Sequence, residues 1–472
     1  MNETPVSLTA LSNQLPPPWP DSRMEAIRAR LDAGAPKLVV LDDDPTGTQT
    51  VYDVPVLTTW GVEELAQELL APGPVFYILT NSRSLPLPAA QALNREIGAA
   101  LRQAAATTGR ALSVVSRSDS TLRGHYPGEV DALAEGLAWD HPSTLLIPYF
   151  REGGRYTIHD VHYVAEGDRL IPAAQTPFAA DAVFGYRASN LREWVAEKSG
   201  GTVSAEDVAV ISLDDLRLGG PAAVYGRVAL LQPGQICIVN AADLRDLEVL
   251  VEGLLMAEVG GRRFLYRTAA SFVQIRAGLA TRDLLTAAEL GLKPNGGGLF
   301  VVGSYVPKTT AQVQALLATP DLVAVELDVP ALLDPMRRGE TVVAAIEAVD
   351  AGLAVGRDTL LFTSRSLITG GDTAESLAIG QSVSAALVEI VQRLAQRPRY
   401  LVGKGGITSS DLATQALGVR RARVLGQILP GVPVWEMGAE TRYPGLSYVV
   451  FPGNVGDNAA LATLRARLRG SA

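Results

Sequence analysis

Residues 37–50, KLVVLDDDPTGTQT, run from an apolar stretch straight into three aspartates and a Pro-Thr-Gly turn. The same form returns at VFYILTNSRS (75–84), ALSVVSRSDS (111–120) and STLLIPYF (143–150). Helix-patterned segments such as AAQALNREIGAALRQAAATTG separate them, and SRMEAIRARLDAG ahead of the first run predicts a short helix with Gly34 near its end. Continuous apolar strands alternating with helices predict a mostly parallel sheet covered on both faces. Such sheets bind ligands at the carboxyl ends of their strands. Those ends carry Asp42–Asp44, Asn81–Arg83 and Arg117–Asp119.

After about residue 270 the pattern restarts with GGGLFVVGSYVPKTTAQVQALLA, then TLLFTSRS (359–366), RPRYLVGKGGITSSDLATQALGV and LSYVVFPGNVGDNAALATLRARL. The expected architecture is therefore α/β in two domains, each a largely parallel or mixed sheet flanked by helices. An N-terminal arm and helix take residues 1–35, with residues 1–20 read as a Pro-rich, poorly ordered arm. The first domain takes 36–280 and the second 297–470.

The composition agrees with this and narrows the function. A chain of 472 residues, 47% hydrophobic and with 45 glycines, suits an α/β enzyme with many tight turns and not a coiled coil or a disordered chain. Its formal charge of −9 argues against nucleic acid as a partner, which would require a basic face. Cys237, the only cysteine, lies in the apolar run QICIVN, so neither an internal disulfide nor a Cys-based metal site is expected. The first 20 residues lack the basic and apolar regions of a signal peptide, and no apolar stretch approaches the ~18 residues of a membrane span. A soluble, cytoplasmic protein with no membrane partner is expected, and a homodimer is kept open. Lysine is scarce, five against 36 arginines, and two of the five sit in glycine-bearing loops.

Those loops are Gly303-Ser304 with Lys308 nearby, Gly403-Lys404-Gly405-Gly406-Ile407-Thr408-Ser409, and Gly453-Asn454-Val455-Gly456. Each puts small residues where a strand hands over to a helix, where free N–H groups and the helix dipole favour phosphate. None is a Walker A loop or a GxGxxG turn. Three in one domain raise the prospect of a nucleotide site, against the plainer reading of each as a tight turn.

In the first half, Asp42-x-Asp44-x-Thr46 after an apolar strand also fits the nucleophile motif of haloacid-dehalogenase-like phosphatases. That reading lacks its lysine, since none lies between Lys37 and Lys198, and its acidic metal motif could only be Gly456-Asp457. Three adjacent carboxylates repel one another unless cations or hydroxyls satisfy them. Arg83, Arg117, Asp119, Ser120, Thr121 and Arg123 are available nearby, and guanidinium forks bind carboxylates while Asp with Ser or Thr suits sugar hydroxyls. A small polyhydroxy acid meets both needs. His125, His159 and His162 are not spaced as a metal set and read as structural.

Taken together the motifs resemble the four-carbon acid sugar kinases, which include threonate, erythronate and 3-oxo-tetronate kinases, over about residues 36–468. They are Asp43-Asp44-Pro45-Thr46-Gly47, TNSRSLP (80–86), SDSTLRGH (118–125), IPYFREGGRYTIHDVHYV, VVGSYVPKT, KGGITSS and FPGNVGD. The resemblance implies an N-terminal domain binding the sugar acid, a C-terminal domain binding ATP, and an active site in the cleft between them. It implies ATP with Mg2+, and no metal-ligand set is assigned. Carried over by motif, Asp43 or Asp44 is the base that orients the attacking hydroxyl. Asp43, Arg83, Arg117, Asp119, Ser120, Thr121 and Arg123 bind the acid, and Ser304, Lys308, Lys404, Gly405, Gly406, Ile407, Thr408 and Gly453 bind the nucleotide. The chain departs from the family in Ile407, where many members carry Glu, in the extra acid Asp42, in its long arm and in Lys308. The Ile407 substitution leaves a second reading, a non-catalytic sensor of sugar acid or nucleotide.

Overall fold

Every residue of Lys37–Asp42, Val75–Leu79, Ser143–Ile147 and Phe264–Thr268 is buried, as strands covered by helices on both faces must be. The computed structural model describes residues 4–293, 295–304, 306–365, 373–453 and 455–470. The chain divides into two units, Met1–Val51 with Thr59–Thr281, and Tyr52–Thr58 with Arg282–Ala472.

In the first unit seven strands form a fully parallel sheet. Their order is Ala209–Ile211, Ile236–Val239, Ser143–Ile147, Phe264–Thr268, Leu112–Arg117, Lys37–Asp42 and Val75–Leu79. The register decides what meets at the carboxyl ends: Asp42 lies opposite Leu79 on one side and Arg117 on the other, and Arg117 lies opposite Thr268. Apolar strands that turn polar at their last residue therefore deliver one row of polar side chains. The expected helices Met24–Asp32 and Leu87–Thr108 both form, the second ending on left-handed Gly109. Cys237 is buried within its strand.

A second, antiparallel sheet of the order Val6–Ser7, Arg169–Pro172, Val161–Glu166, Arg155–Ile158 belongs to the same unit. It overturns the expectation of a poorly ordered arm. Asp168 accepts from Ser7 Oγ (2.6 Å), Thr9 N (3.0 Å) and Thr9 Oγ1 (2.7 Å), and Arg217 donates to Pro16 O (2.7 Å). Ser22 and Arg23 then bond Glu248 and Glu252. Polar anchors hold a segment whose proline content had suggested none.

The second unit is a mixed sheet. Val54–Leu57, Arg421–Leu429, Val432–Met437 and Ser447–Phe451 pair antiparallel in that order, and Leu401–Lys404, Leu299–Val302, Asp358–Thr363 and Leu322–Leu327 continue it in parallel. Val302, Lys404 and Phe451 stand in one register row, so the three glycine-bearing loops leave the sheet along one edge. Phe300, Tyr400, Val402, Val449, Phe451 and Leu461 are among the side chains of its core. Among the described residues no helix is long and apolar enough to cross a membrane.

Candidate functional site

Four aspartates and four arginines converge at the carboxyl ends of the first unit's strands. Arg83, on a single 3-10 turn after Val75–Leu79, grips Asp43 with both arms of its fork, Nε to Oδ2 at 3.1 Å and Nη2 to Oδ1 at 2.6 Å. Its remaining reach covers Asp44 at 3.7 Å and Asp119 at 4.0 Å. Arg117 lies 3.4 Å from Asp42, as the strand register requires. Arg123 donates to Asp119 Oδ2 at 2.8 Å, lies 3.6 Å from Asp181, and its guanidinium stands 5.1 Å from the Phe178 ring centroid. Arg267 is buried and donates to Arg123 O at 3.0 Å. The repulsion expected of three adjacent carboxylates is thus offset by guanidiniums from three other segments.

The carboxylates are not equivalent. Asp42 is 1% exposed, and burial pushes it up to about 8 despite Arg117. Gly47 covers it so closely that a Cβ there would overlap the carboxylate. A phosphatase nucleophile has to meet its substrate, so this burial removes the haloacid-dehalogenase reading of Asp42-x-Asp44. Burial also opposes ionisation of Asp44, but Arg83, the Thr46 hydroxyl and amide, and Arg117 outweigh it and hold Asp44 below the usual carboxylate range. Thr46 gives Asp44 Oδ1 its amide at 2.9 Å and its hydroxyl at 2.5 Å. With a side chain 22% exposed, against 4% for Asp43, Asp44 is the more open acid of the pair. Asp119 is lowered further: Arg83 and Arg123 overcome its burial, helped by bonds from Arg123 and Thr121.

The backbone of the segment is held by its neighbours. Ser120 O accepts from His162 Nε2 at 2.8 Å, and the other ring nitrogen meets Thr157 Oγ1 at 3.0 Å. Burial pulls His162 down to about 4, so the ring is neutral. Thr121 O accepts from Tyr186 OH at 2.7 Å. His125 Nε2 meets Leu85 O at 2.8 Å.

In the second unit, Gly303 and Ser304 follow Leu299–Val302, and Lys308 stands in the first turn of helix Pro307–Leu317. Gly405, at φ 110°, takes a backbone shape that L side chains rarely adopt, and the turn it makes starts helix Gly406–Asp411. The neighbours that Cβ atoms at Gly303 and Gly405 would meet are Thr408 and Ser304, which places these four residues together. Ile407 is 61% exposed. Lys404 faces inward: its ammonium donates to Pro452 O (2.6 Å) and Gly453 O (3.0 Å) and sits 4.4 Å from the Phe451 ring centroid. Burial and the charge of Lys308 pull it down to about 7. It tethers the Gly453 loop to its neighbour, a task its place in the sequence did not disclose. Asn454 and Tyr305, within two of the loops, lie outside the described residues.

Three groups escaped the sequence reading. Arg267 is the last residue but one of a wholly buried strand, where only the strand register reveals that it nears the acidic row. Glu129 sits near Asp43, raised by burial and by that neighbouring charge, with Asn94 Nδ2 at 3.2 Å. Arg365 bonds Ser304 O at 2.7 Å and Thr363 O at 2.8 Å, which puts a guanidinium beside the first glycine loop.

Residues 38–276 match the model of a sugar-binding N-terminal domain, and residues 299–461 that of a nucleotide-binding C-terminal domain. The chain is 29% identical over 231 residues to a D-erythronate kinase of Heliobacterium modesticaldum, spanning 48% of this chain and 47% of that protein. It is 30% identical over 332 residues to a 3-oxo-tetronate kinase of Cupriavidus necator, covering 66% of this chain and 70% of that one. A 3-oxo-tetronate kinase of Pseudomonas savastanoi is 27% identical over 368 residues, 76% and 79% of the two chains. The fold is shared with a Salmonella typhimurium protein (TM-score 0.64, 19% identity, 90% of this chain and 98% of that one) and a Haemophilus influenzae protein (TM-score 0.60, 19% identity, 91% and 100%).

Proposed function

The chain belongs to the four-carbon acid sugar kinase family, and from that premise we propose that it transfers the γ-phosphoryl group of ATP to a hydroxyl of a four-carbon sugar acid. One observation carries the reading. The domain matched as sugar-binding holds the paired aspartates and arginines, and the domain matched as nucleotide-binding holds the aligned glycine loops.

Asp44 is the residue we assign to the acceptor hydroxyl. Its Oδ1 accepts from Thr46, and Arg83 stands 3.7 Å from Oδ2. Phosphoryl transfer passes through a loose transition state in which positioning and charge stabilisation dominate. An ionised, weakly basic carboxylate serves that chemistry by orienting the hydroxyl and taking its proton late. Asp43 keeps Arg83 in place, and Arg83, Arg123 and the Ser118–Arg123 segment receive the acid's carboxylate and hydroxyls. Arg83 is already engaged by Asp43, so the substrate carboxylate shares that cation instead of finding it free.

On the donor side, Ser304, Gly405, Gly406, Thr408 and Gly453 offer backbone and hydroxyl groups to the phosphates, with Lys308 supplying positive charge. Lys404 acts by holding the Gly453 loop. Mg2+ enters with ATP as part of the donor substrate, bound chiefly through phosphate oxygens. Transfer requires the donor and acceptor groups to come into line with water excluded.

The test is incubation with ATP, Mg2+ and a panel of tetronates. ADP release that depends on one acid supports the kinase. Saturable acid binding with no ADP release from any of the panel overturns it in favour of a sensor.

A further inference from the structure

At the opposite edge of the first unit's parallel sheet lies a cavity of about 580 Å3, within the size range of small-molecule sites. Leu112 and Ser113 open one strand of its floor and Phe264 the other. Those strands carry Arg117 and Arg267 at their far ends, so a strand of roughly 17 Å separates the cavity from the acidic row. Arg102, Arg110, Arg262 and Arg263 line it, and none of the four is ion-paired among the described residues.

The one carboxylate in the lining, Glu258, is spent. Its Oε1 accepts from Ser113 Oγ (2.5 Å) and Tyr266 OH (2.8 Å), and its Oε2 pairs with buried Arg276 at 2.7 Å. Helix ends account for part of the arginine cluster. Arg262 donates to Val228 O (3.0 Å) and Leu231 O (2.9 Å), which end a neighbouring helix. Helices Leu87–Thr108, Gly128–Leu137 and Leu244–Val259 also end around the cavity. Each terminus contributes roughly half a negative charge, about −1.5 together, against three remaining guanidiniums. Those termini are in addition capped by backbone, as at Gly109 N to Ala105 O and Trp139 N to Ala134 O. Among the described residues the Arg110 side chain bonds Ala35 O at 3.3 Å, that of Arg263 lies 5.8 Å from the Trp139 ring centroid, and that of Arg102 makes no hydrogen bond or ion pair. Positive charge is left over, in a cavity, on a chain whose net charge is −9.

We propose that this cavity binds a small phosphorylated molecule, its phosphate held by Arg102, Arg110 and Arg263. Guanidinium forks match phosphate oxygens in pairs, and a phosphate dianion complements the unpaired positive charge of the lining. The proposal is independent of the kinase reading, because no lining residue belongs to either set of site residues.

Calorimetric titration of the full chain with inorganic pyrophosphate tests it, comparing wild type with R102A/R263A. Pyrophosphate also suits the glycine loops, so the expected result is one further equivalent bound by wild type and lost in the double variant. Arg102 and Arg263 are both exposed, and R102E/R263E, judged folded by circular dichroism, serves as the second variant. Parallel titrations with AMP and with glycerol 3-phosphate tell a nucleotide from a sugar phosphate, and the lost equivalent with either supports the site. Equal stoichiometry and affinity for all three probes in wild type and both variants overturn it.

Discussion

Arg83 and Asp43 meet through two hydrogen bonds, 3.1 Å from Nε and 2.6 Å from Nη2, although 40 positions separate them in the chain. The pair links the turn after one strand to the turn after its neighbour. It also fixes the direction from which a second carboxylate, that of a substrate, approaches the same guanidinium. Replacing Arg83 by Lys keeps the charge and loses the fork. The expected outcome is a KM for the acid raised on the order of tenfold or more, about 1.4 kcal/mol, with the KM for ATP little changed. Steady-state kinetics with each substrate varied in turn checks this, and equal KM values for the acid in both proteins would remove the fork from recognition.

Asp43 and Asp44 separate by role. Asp44→Asn keeps the turn, since an amide oxygen still accepts from Thr46, and it removes the base. Turnover should fall by roughly 10²–10⁴ while ATP binding persists. Asp43→Asn should lower turnover as well, and in addition lower thermal stability, because Arg83 is left 18% exposed without its closest partner. Melting curves beside kinetics distinguish the two: equal loss of stability in both variants contradicts the division of labour.

The sequence disclosed the row of strand-end residues because parallel strands buried on both faces are written as apolar runs, and a run that stops in Asp or Arg marks the sheet's edge. It also located the three glycine loops. It could not say how the row pairs. Asp42 lies beside Arg117 only through the register of strands whose paired residues are 75 positions apart, and Arg267 joins them from a strand later still. Residues 52–58 were no more legible: Val54–Leu57 pairs with Arg421–Val424, a partner distant in sequence and without any local turn signal. The inward placement of Lys404 was hidden for a simpler reason. A lysine in a glycine loop is exposed or inward according to which carbonyls surround it, and those belong to Pro452 and Gly453.

Gly47 has no room for a side chain, since a Cβ there enters the space of the Asp42 carboxylate. Gly47→Ala should therefore displace the Asp44-Pro45-Thr46 turn and reduce both stability and turnover, with a destabilisation on the order of 1–3 kcal/mol from overpacking. Asp42→Asn does not relieve an overlap of that kind, so the double variant should recover little. Denaturant titration of the single and double variants measures it, and full stability in Gly47→Ala would show that the turn yields.

The raised Asp42 gives stability a pH dependence of definite sign. Its carboxyl binds a proton up to about 8 in the folded chain and only to 3.8 in the unfolded one. Between those values the native state holds more protons, so this group's contribution favours folding at low pH and is lost as pH rises through about 8. Asp42→Asn removes the titration without restoring a charge. Relative to wild type it should therefore gain stability from pH 5 to pH 8, by at least about 1 kcal/mol. Lys404 runs the other way: lowered to about 7 from 10.5, it makes the native state hold fewer protons between those values, so its contribution improves as pH rises from 7 to 10.5. Lys404→Met should flatten that alkaline limb and, by releasing Gly453, weaken ATP binding. Unfolding curves at pH 5, 7, 8 and 9.5 for wild type and the two variants resolve the opposing limbs. Parallel curves for Asp42→Asn and wild type from pH 5 to 8 would mean that Asp42 is ionised in the fold, and that Arg117 compensates it more fully than a 3.4 Å contact implies.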